Sequence, residues 1–170
     1  MSERAVCEPI ASRPRMPATY GILPENEGGG LLPWSWARER LERARNYFFS
    51  TVRPDGRPHV APIWGCWMDE RFLFSTDRAS VKAKNLAQNP RCVVCPENGV
   101  ESIMVEGVAR EMTDRAILER YIALYDPKYS WTSDLAAGPF YEVEPRVVFA
   151  FIEGPGTFAG RSTRWAFSKG

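Results

Sequence analysis

Residues 47–67 read YFFSTVRPDGRPHVAPIWGCW, and they predict two strands joined by a tight turn. The first six residues are aromatic, β-branched or hydroxyl-bearing, as is typical of strands. Residues 53–56 then place proline at the first corner of a turn and glycine where the backbone is left-handed. The strand predicted over residues 57–67 therefore pairs back on the first as a hairpin.

The predicted strand at residues 57–67 is apolar on both faces. A strand of this kind is covered on both sides, so we expect one face to pack in a barrel core and the other against a ligand or a second subunit. Pro58 and Pro62 lack the N–H group that a sheet ladder needs. We expect this strand to be locally unpaired or bulged, which leaves backbone groups for a ligand.

The rest of the chain alternates strand patterns with turns and short helices. Strands are predicted over residues 72–76, 91–95, 101–112, 143–152 and 162–167, helices over residues 36–46, 79–88 and 113–124, and a loop over residues 125–139. Ser35 is the expected N-cap of the first helix. About seven strands joined mostly by tight turns predict a mainly β protein with short helices (α+β), folded as an antiparallel barrel.

The domain organisation follows from length and local composition. A chain of 170 residues is typical of a single domain. Residues 1–33 contain five prolines and a run of three glycines without periodicity. This composition predicts a flexible N-terminal arm, either disordered or laid across a partner subunit, before a barrel domain at residues 34–170.

Charge, hydropathy and cysteine usage exclude several functional classes. The formal net charge of +1 gives no whole-molecule attraction to nucleic acid or to an acidic membrane. No apolar run has membrane-spanning length, and the N-terminus lacks the apolar core of a secretory signal. Cys92 and Cys95 stand three apart on a predicted strand and thus point to opposite faces, so they are expected to be reduced core cysteines. These features predict a cytoplasmic protein without a nucleic-acid or membrane partner.

Residues 74–90, FSTDRASVKAKNLAQNP, are the candidate ligand site. Hydroxyl and cationic side chains gather where a strand ends and a helix begins; they are Ser75, Thr76, Ser80, Arg78, Lys82 and Lys84. A helix N-terminus presents free N–H groups and the positive end of the helix dipole, so it binds phosphate readily. The alternative is a capped amphipathic helix with a solvated lysine face.

No acid–base constellation stands out, and no residue is assigned a catalytic or metal-binding role. His59 is the single histidine. It is interpreted as a general base, a haem ligand or a half-buried strand residue. The lack of obvious catalytic residues favours a cofactor that carries the reaction.

Several motifs together resemble the pyridoxamine 5'-phosphate oxidase-like family of flavin- and deazaflavin-binding split β-barrels. They are TVRPDGRPHVAPIWGCW, FLFSTDRASVKAKNLAQNPRCVV, VEGVAREMTD and TRWAF, in the order the family has them. The resemblance covers residues 36–167. It implies a split β-barrel of the FMN-binding type that forms a homodimer with cofactor sites at the subunit interface.

The resemblance also implies which residues bind the cofactor. Ser80 and Lys82 are expected at its phosphate with Ser75 and Thr76 nearby, and Pro62, Ile63 and Trp64 at its ring. Arg164 and Trp165 match the C-terminal pattern that closes over the site. Val81 stands where the pyridoxamine phosphate oxidases have an arginine, so vitamin B6 oxidation is not expected.

The implied function is that of an oxidoreductase. It uses FMN or the deazaflavin coenzyme F420 for hydride transfer to or from a small organic substrate. The alternatives are a non-catalytic carrier or sensor that binds a flavin or haem, and a barrel that has kept the fold and lost the ligand.

Overall fold

The computed structural model describes residues 8–136 and 138–168. Within these ranges the chain forms nine strands and four α-helices. In chain order they are β1 (Ile10–Ser12), α1 (Trp34–Arg43), β2 (Tyr47–Val52), β3 (Pro58–Ile63), β4 (Cys66–Met68), β5 (Arg71–Ser75), α2 (Val81–Gln88), β6 (Arg91–Pro96), β7 (Glu101–Met112), α3 (Arg115–Tyr129), β8 (Phe140–Ile152), α4 (Pro155–Arg161) and β9 (Thr163–Ala166).

The strands pair in an antiparallel sheet that curls without closing. Its order is β1-β9-β8-β7-β6-β2-β3, while β5 pairs with β8 and β4 pairs with β5. The hairpin of β2 and β3 is in register from Tyr47 opposite Ile63 to Val52 opposite Pro58. The two ends of the curl, β3 and β4, stay unpaired with each other. This confirms the predicted mainly β (α+β) class and the antiparallel split β-barrel.

The barrel core is built from alternate residues of the strands. Phe49, Phe74 and Val148 are fully buried, and the rings of Phe49 and Phe74 lie 4.8 Å apart. The helix α1 adds Trp34, whose ring lies 5.5 Å from that of Trp165. Burial of side chains of this size dominates the stability of such a domain.

The strand predicted over residues 57–67 is interrupted, which corrects the sequence expectation. It forms β3 and β4 with a break at Trp64 and Gly65. A Cβ atom on Gly65 would lie 2.3 Å from Phe72 Cζ, so glycine alone allows this close approach. Pro58 and Pro62 fit in β3 because it is an edge strand with one neighbour, and the register shows no bulge.

The helix α3 continues to Tyr129, whereas the sequence predicted its end near residue 124 and a loop from 125. Pro127 lies inside the helix near its end. Tyr121, Tyr125 and Tyr129 repeat every fourth residue, and consecutive ring centroids lie 5.1 and 4.7 Å apart. This packing of one helix face keeps the chain helical through Pro127, although proline disfavours a helix interior.

The described part of residues 1–33 packs against the C-terminal part of the chain. Within residues 1–33, which showed no periodicity, β1 forms and pairs with β9. The guanidinium of Arg13 donates to the carbonyl oxygens of Pro24, Glu27, Gly160 and Ser162, at 2.9 to 3.1 Å. Residues 1–7 and 169–170 lie outside the described residues, and the division into a flexible arm and a barrel domain stays a prediction.

Two further boundaries are corrected, and one helix is added. The N-cap of α1 is Pro33 rather than Ser35, and β8 begins at Phe140 rather than at residue 143. The helix α4, in a glycine-rich stretch with weak helix propensity, was not predicted.

The outer face of β2 and β3 is apolar and uncovered in the single chain. Phe48 and Val60 are 49% and 60% exposed. Phe48 lies opposite Pro62 on β3 and Cys95 on β6, so this apolar face crosses three strands. This exposed apolar face agrees with the sequence prediction that the strand is apolar on both sides.

Two further findings concern membranes and thiols. In the part of the chain that the structure describes, no helix is both long and apolar enough to cross a bilayer. Cys66, Cys92 and Cys95 are free thiols, and burial raises the pKa of Cys95 to about 11. Cys7 lies outside the described residues.

Candidate functional site

The split in the barrel opens into a cleft of about 490 Å³, a size typical of cofactor sites. Its walls come from both sides of the gap, with β3 on one side and the end of β5 and the start of α2 on the other. The lining residues are Asn46, Tyr47, Phe48, Pro62, Ile63, Trp64, Ser75, Lys82, Glu97 and Tyr125.

The β3 side of the cleft is an apolar wall. Pro62, Ile63 and Trp64 follow one another at the end of the edge strand, and Trp64 is 46% exposed. Its ring stacks on that of Tyr129, with centroids 4.8 Å apart and planes 10° apart. A planar ligand finds here a flat surface together with backbone groups that the sheet does not use.

The opposite side is polar and is built by the start of α2. Ser80 is the N-cap, and its Oγ accepts from the N–H of Ala83 at 3.2 Å. Thr76 Oγ1 donates to the same Oγ at 3.2 Å. The backbone N–H groups of Val81 and Lys82 have no acceptor among the described residues. They remain free for an anionic oxygen, which the helix dipole favours at this end.

One cation lines the cleft. The Lys82 amine is half-buried and forms no ion pair within residues 8–136 and 138–168, and burial lowers its pKa. Arg78, the nearest alternative, forms an ion pair with Glu111. Lys84 is exposed and does not line the cleft. The structure thus separates the three cations of this segment and leaves Lys82 as the one available to a ligand.

The break between β3 and β4 is fixed by the end of α3, which the sequence did not connect with the site. Tyr129 OH accepts from the Gly65 N–H at 3.0 Å, and Lys128 Nζ donates to the Gly65 carbonyl at 2.8 Å. Burial lowers the pKa of Lys128 and raises that of Tyr129 to about 12. These contacts position Trp64, the neighbour of Gly65.

The remaining lining residues were also missed from the sequence. Asn46 Nδ2 donates to both carboxylate oxygens of Glu97, at 3.1 and 3.0 Å, and thereby joins two loops at the cleft rim. Tyr47 and Phe48 begin β2, and Tyr125 belongs to α3. No local motif marks these residues, because the fold alone brings them together.

The structure brings most of the expected cofactor residues together, but not all of them. Pro62, Ile63, Trp64, Ser75 and Lys82 line the cleft, with Thr76, Ser80 and Val81 beside it. Arg164 and Trp165 do not line it. Trp165 is fully buried against Trp34 in the core, so its side chain is inaccessible in the single chain.

His59 lies at the far end of β3 from Trp64. Its Nδ1 is 3.3 Å from Thr51 Oγ1, and Asn85 Nδ2 donates to that same oxygen at 2.8 Å. Burial and the charges of Arg53 and Lys82 lower the pKa of His59.

The geometry fits a flat ligand with a terminal phosphate. The unpaired Lys82 amine and two free N–H groups suit the phosphate, and the apolar wall of β3 suits a ring. The structure offers no nucleophile paired with a base along the described part of the lining, and no cluster of metal ligands within the described residues.

Comparison with known proteins agrees with this geometry. A profile of the family described as pyridoxamine 5'-phosphate oxidase matches residues 36–152. No curated protein matches the sequence.

Three solved structures share the fold. An F420 reductase is 24% identical with a TM-score of 0.54, over 65% of this chain and 94% of that one. An FAD-binding protein from Mesorhizobium loti is 19% identical with a TM-score of 0.59, over 81% and 96%. HutZ, a heme storage protein from Vibrio cholerae, is 17% identical with a TM-score of 0.55, over 66% and 89%.

Proposed function

The chain belongs to the pyridoxamine 5'-phosphate oxidase family, and on that premise we propose that it is an oxidoreductase with a flavin or deazaflavin cofactor. FMN or coenzyme F420 is held in the cleft by its phosphate, and the reaction is hydride transfer to or from a small organic substrate. The observation that carries this proposal is the unpaired Lys82 amine beside free N–H groups, facing an apolar wall.

The side chains of the cleft bind and orient rather than react. The N–H groups of Val81 and Lys82 and the Lys82 amine hold the phosphate, with Ser80 and Thr76 fixing the helix start and Ser75 beside them. Pro62, Ile63 and Trp64 hold the ring. When bound, the cofactor supplies the hydride chemistry, and the protein contributes orientation.

We extend the proposal to the assembly. The exposed apolar face of β2 and β3 supports a homodimer with the cleft at the interface, where the partner's C-terminal strand, with Arg164, closes the site. The free thiols are typical of the reducing cytoplasm.

Two of the solved structures and one residue of the site bear on the choice among cofactors. The F420 reductase and the FAD-binding protein that share the fold support a flavin-type ligand. Val81 stands where the pyridoxamine phosphate oxidases have an arginine beside the lysine, which argues against vitamin B6 oxidation.

The proposal is tested by parallel titration of the purified protein with FMN, FAD, coenzyme F420 and haemin. We expect saturable binding of a flavin or deazaflavin, followed by fluorescence, and turnover with small organic acceptors. Haem binding with a Soret band that is lost in His59→Ala would support the carrier or sensor instead. Absence of saturable binding of all four would show a barrel without a ligand.

A further inference from the structure

Three basic side chains without an acidic partner gather at the start of β3. Ten arginines of the described residues form ion pairs with carboxylates. Arg53 and Lys82 belong to none of these pairs. The Arg53 N–H donates to the Arg57 carbonyl and Thr51 lies opposite His59, so Arg53 and His59 are diagonal neighbours across β2 and β3. Burial and the charges of Arg53 and Lys82 lower the pKa of His59. Basic groups held near one another without an anion repel, and a bound anion relieves that repulsion.

A buried hydrogen-bonded relay fixes the ring of His59. Lys82 and Asn85 are one helical turn apart on α2, and Asn85 is buried against Thr51 of β2. Thr51 Oγ1 accepts from Asn85, so its own hydrogen is available for His59 Nδ1, 3.3 Å away. If Thr51 donates this hydrogen, the proton of the neutral ring is on Nε2, and the protonated ring carries a hydrogen on Nε2 in either case. Nε2 has no partner within the described residues and is therefore a free donor.

The positions along β3 give the direction in which a ligand extends. Ile63, at the ring wall, is four residues from His59, which is roughly 13 Å along a strand. Lys82 lines the cleft with Ile63, and it lies one helical turn from Asn85, whose amide reaches Thr51 beside His59. Lys82 therefore lies between the ring wall and the basic group. A ligand with its ring at β3 and its first phosphate at Lys82 thus continues toward His59 and Arg53.

We propose that Arg53 and His59 form a second anion subsite, which takes a further acidic group of an elongated cofactor. This inference rests on the proposed function, since it uses the Lys82 phosphate site as its starting point. FMN ends at one phosphate. FAD continues with a second phosphate, and coenzyme F420 continues with carboxylates, so both can reach the second subsite.

The first test compares affinities. Arg53→Gln and His59→Gln are each expected to weaken the binding of FAD or coenzyme F420 by about fivefold or more. The binding of FMN is expected to weaken by less than about twofold. Arg91→Gln removes an exposed cation on β6 and is the charge-matched control, expected to leave all affinities unchanged. A loss for FAD alone identifies a phosphate as the second group, and a loss for coenzyme F420 alone identifies a carboxylate. Equal effects of Arg53→Gln on all three ligands, or none, overturn the subsite.

The second test does not depend on cofactor binding. His59 is the only histidine, so its ring signals in proton NMR are unambiguous. An anion at Nε2 stabilises the imidazolium, so inorganic pyrophosphate is expected to raise the pKa of His59 and to bind more tightly as the pH falls through that pKa. The rise is expected to shrink in Arg53→Gln. If pyrophosphate leaves the His59 titration unchanged, the subsite is wrong even where cofactors bind. If no cofactor binds while pyrophosphate raises the pKa, only the proposed function fails.

Discussion

At the scale of the residue, one hydroxyl group holds the break between β3 and β4. Tyr129 OH accepts from the buried Gly65 N–H and donates to the carbonyl oxygen of Arg45. The Gly65 carbonyl accepts from Lys128, whereas the Gly65 N–H has no other acceptor within the described residues. The hydroxyl is therefore the single partner of a buried donor, next to the ring wall of the cleft.

We expect Tyr129→Phe to lower the free energy of unfolding by about 1–3 kcal/mol, the scale of an unsatisfied buried donor. Tyr121→Phe, on the same face of α3, is the matched control. The Tyr121 hydroxyl is buried without a hydrogen-bond partner among the described residues, so its removal should be neutral or stabilising. Urea denaturation compares the two variants. Equal losses would contradict the role given to Tyr129.

At the scale of the element, the start of α2 stabilises the fold and is also the proposed phosphate site. The Ser80 side chain caps the helix, while the next two N–H groups stay free. The two roles use different atoms, so substitutions can separate them.

We expect Ser80→Ala to cost about 1 kcal/mol of stability through the lost cap. Ser80→Asp retains a capping oxygen and suits the helix dipole, so its melting temperature should stay near that of the wild type. Its carboxylate repels a phosphate, and cofactor affinity should fall at least about tenfold. Thermal unfolding and titration measure the two effects. If the Ser80→Asp variant binds the cofactor with wild-type affinity, the phosphate does not bind at this helix end.

At the scale of the whole molecule, the apolar outer face of β2 and β3 is the proposed dimer interface. Exposed apolar groups on neighbouring strands favour association, because burying them releases water. Val60 lies on this face and does not line the cleft, so it reports on assembly alone.

We expect Val60→Glu to shift the proposed homodimer toward the monomer. Val100→Glu is the matched control, since Val100 is a similarly exposed valine, at 55% against 60%, in the turn between β6 and β7. Light scattering coupled to size-exclusion chromatography gives the masses. A wild-type monomer, or a dimer that survives Val60→Glu, would contradict the proposed interface.

The sequence predicted what is local. The turn at residues 53–56 predicted the hairpin, and the succession of strands and turns predicted the barrel. The strand β7 has its predicted bounds. Ser80 and Lys82 were predicted at the start of a helix from a short motif, and that is where they lie.

Features that depend on distant contacts were not predictable. The break at Gly65 depends on Phe72 and Tyr129, and the length of α3 depends on packing of tyrosines around Pro127. The burial of Trp165 reflects a core partner, Trp34, more than a hundred residues away in the chain.

We propose that Lys82 anchors the phosphate of the cofactor, so the decisive measurement is the cofactor affinity of the Lys82→Gln variant. Lys84→Gln removes the same charge two residues further along α2, outside the cleft, and is the control. We predict that Lys82→Gln weakens the best-bound flavin or deazaflavin by about 1.5–3 kcal/mol, roughly ten- to 150-fold, while Lys84→Gln stays within about twofold. Equal affinities of the Lys82→Gln variant and the wild type for that cofactor would show that Lys82 does not anchor the phosphate.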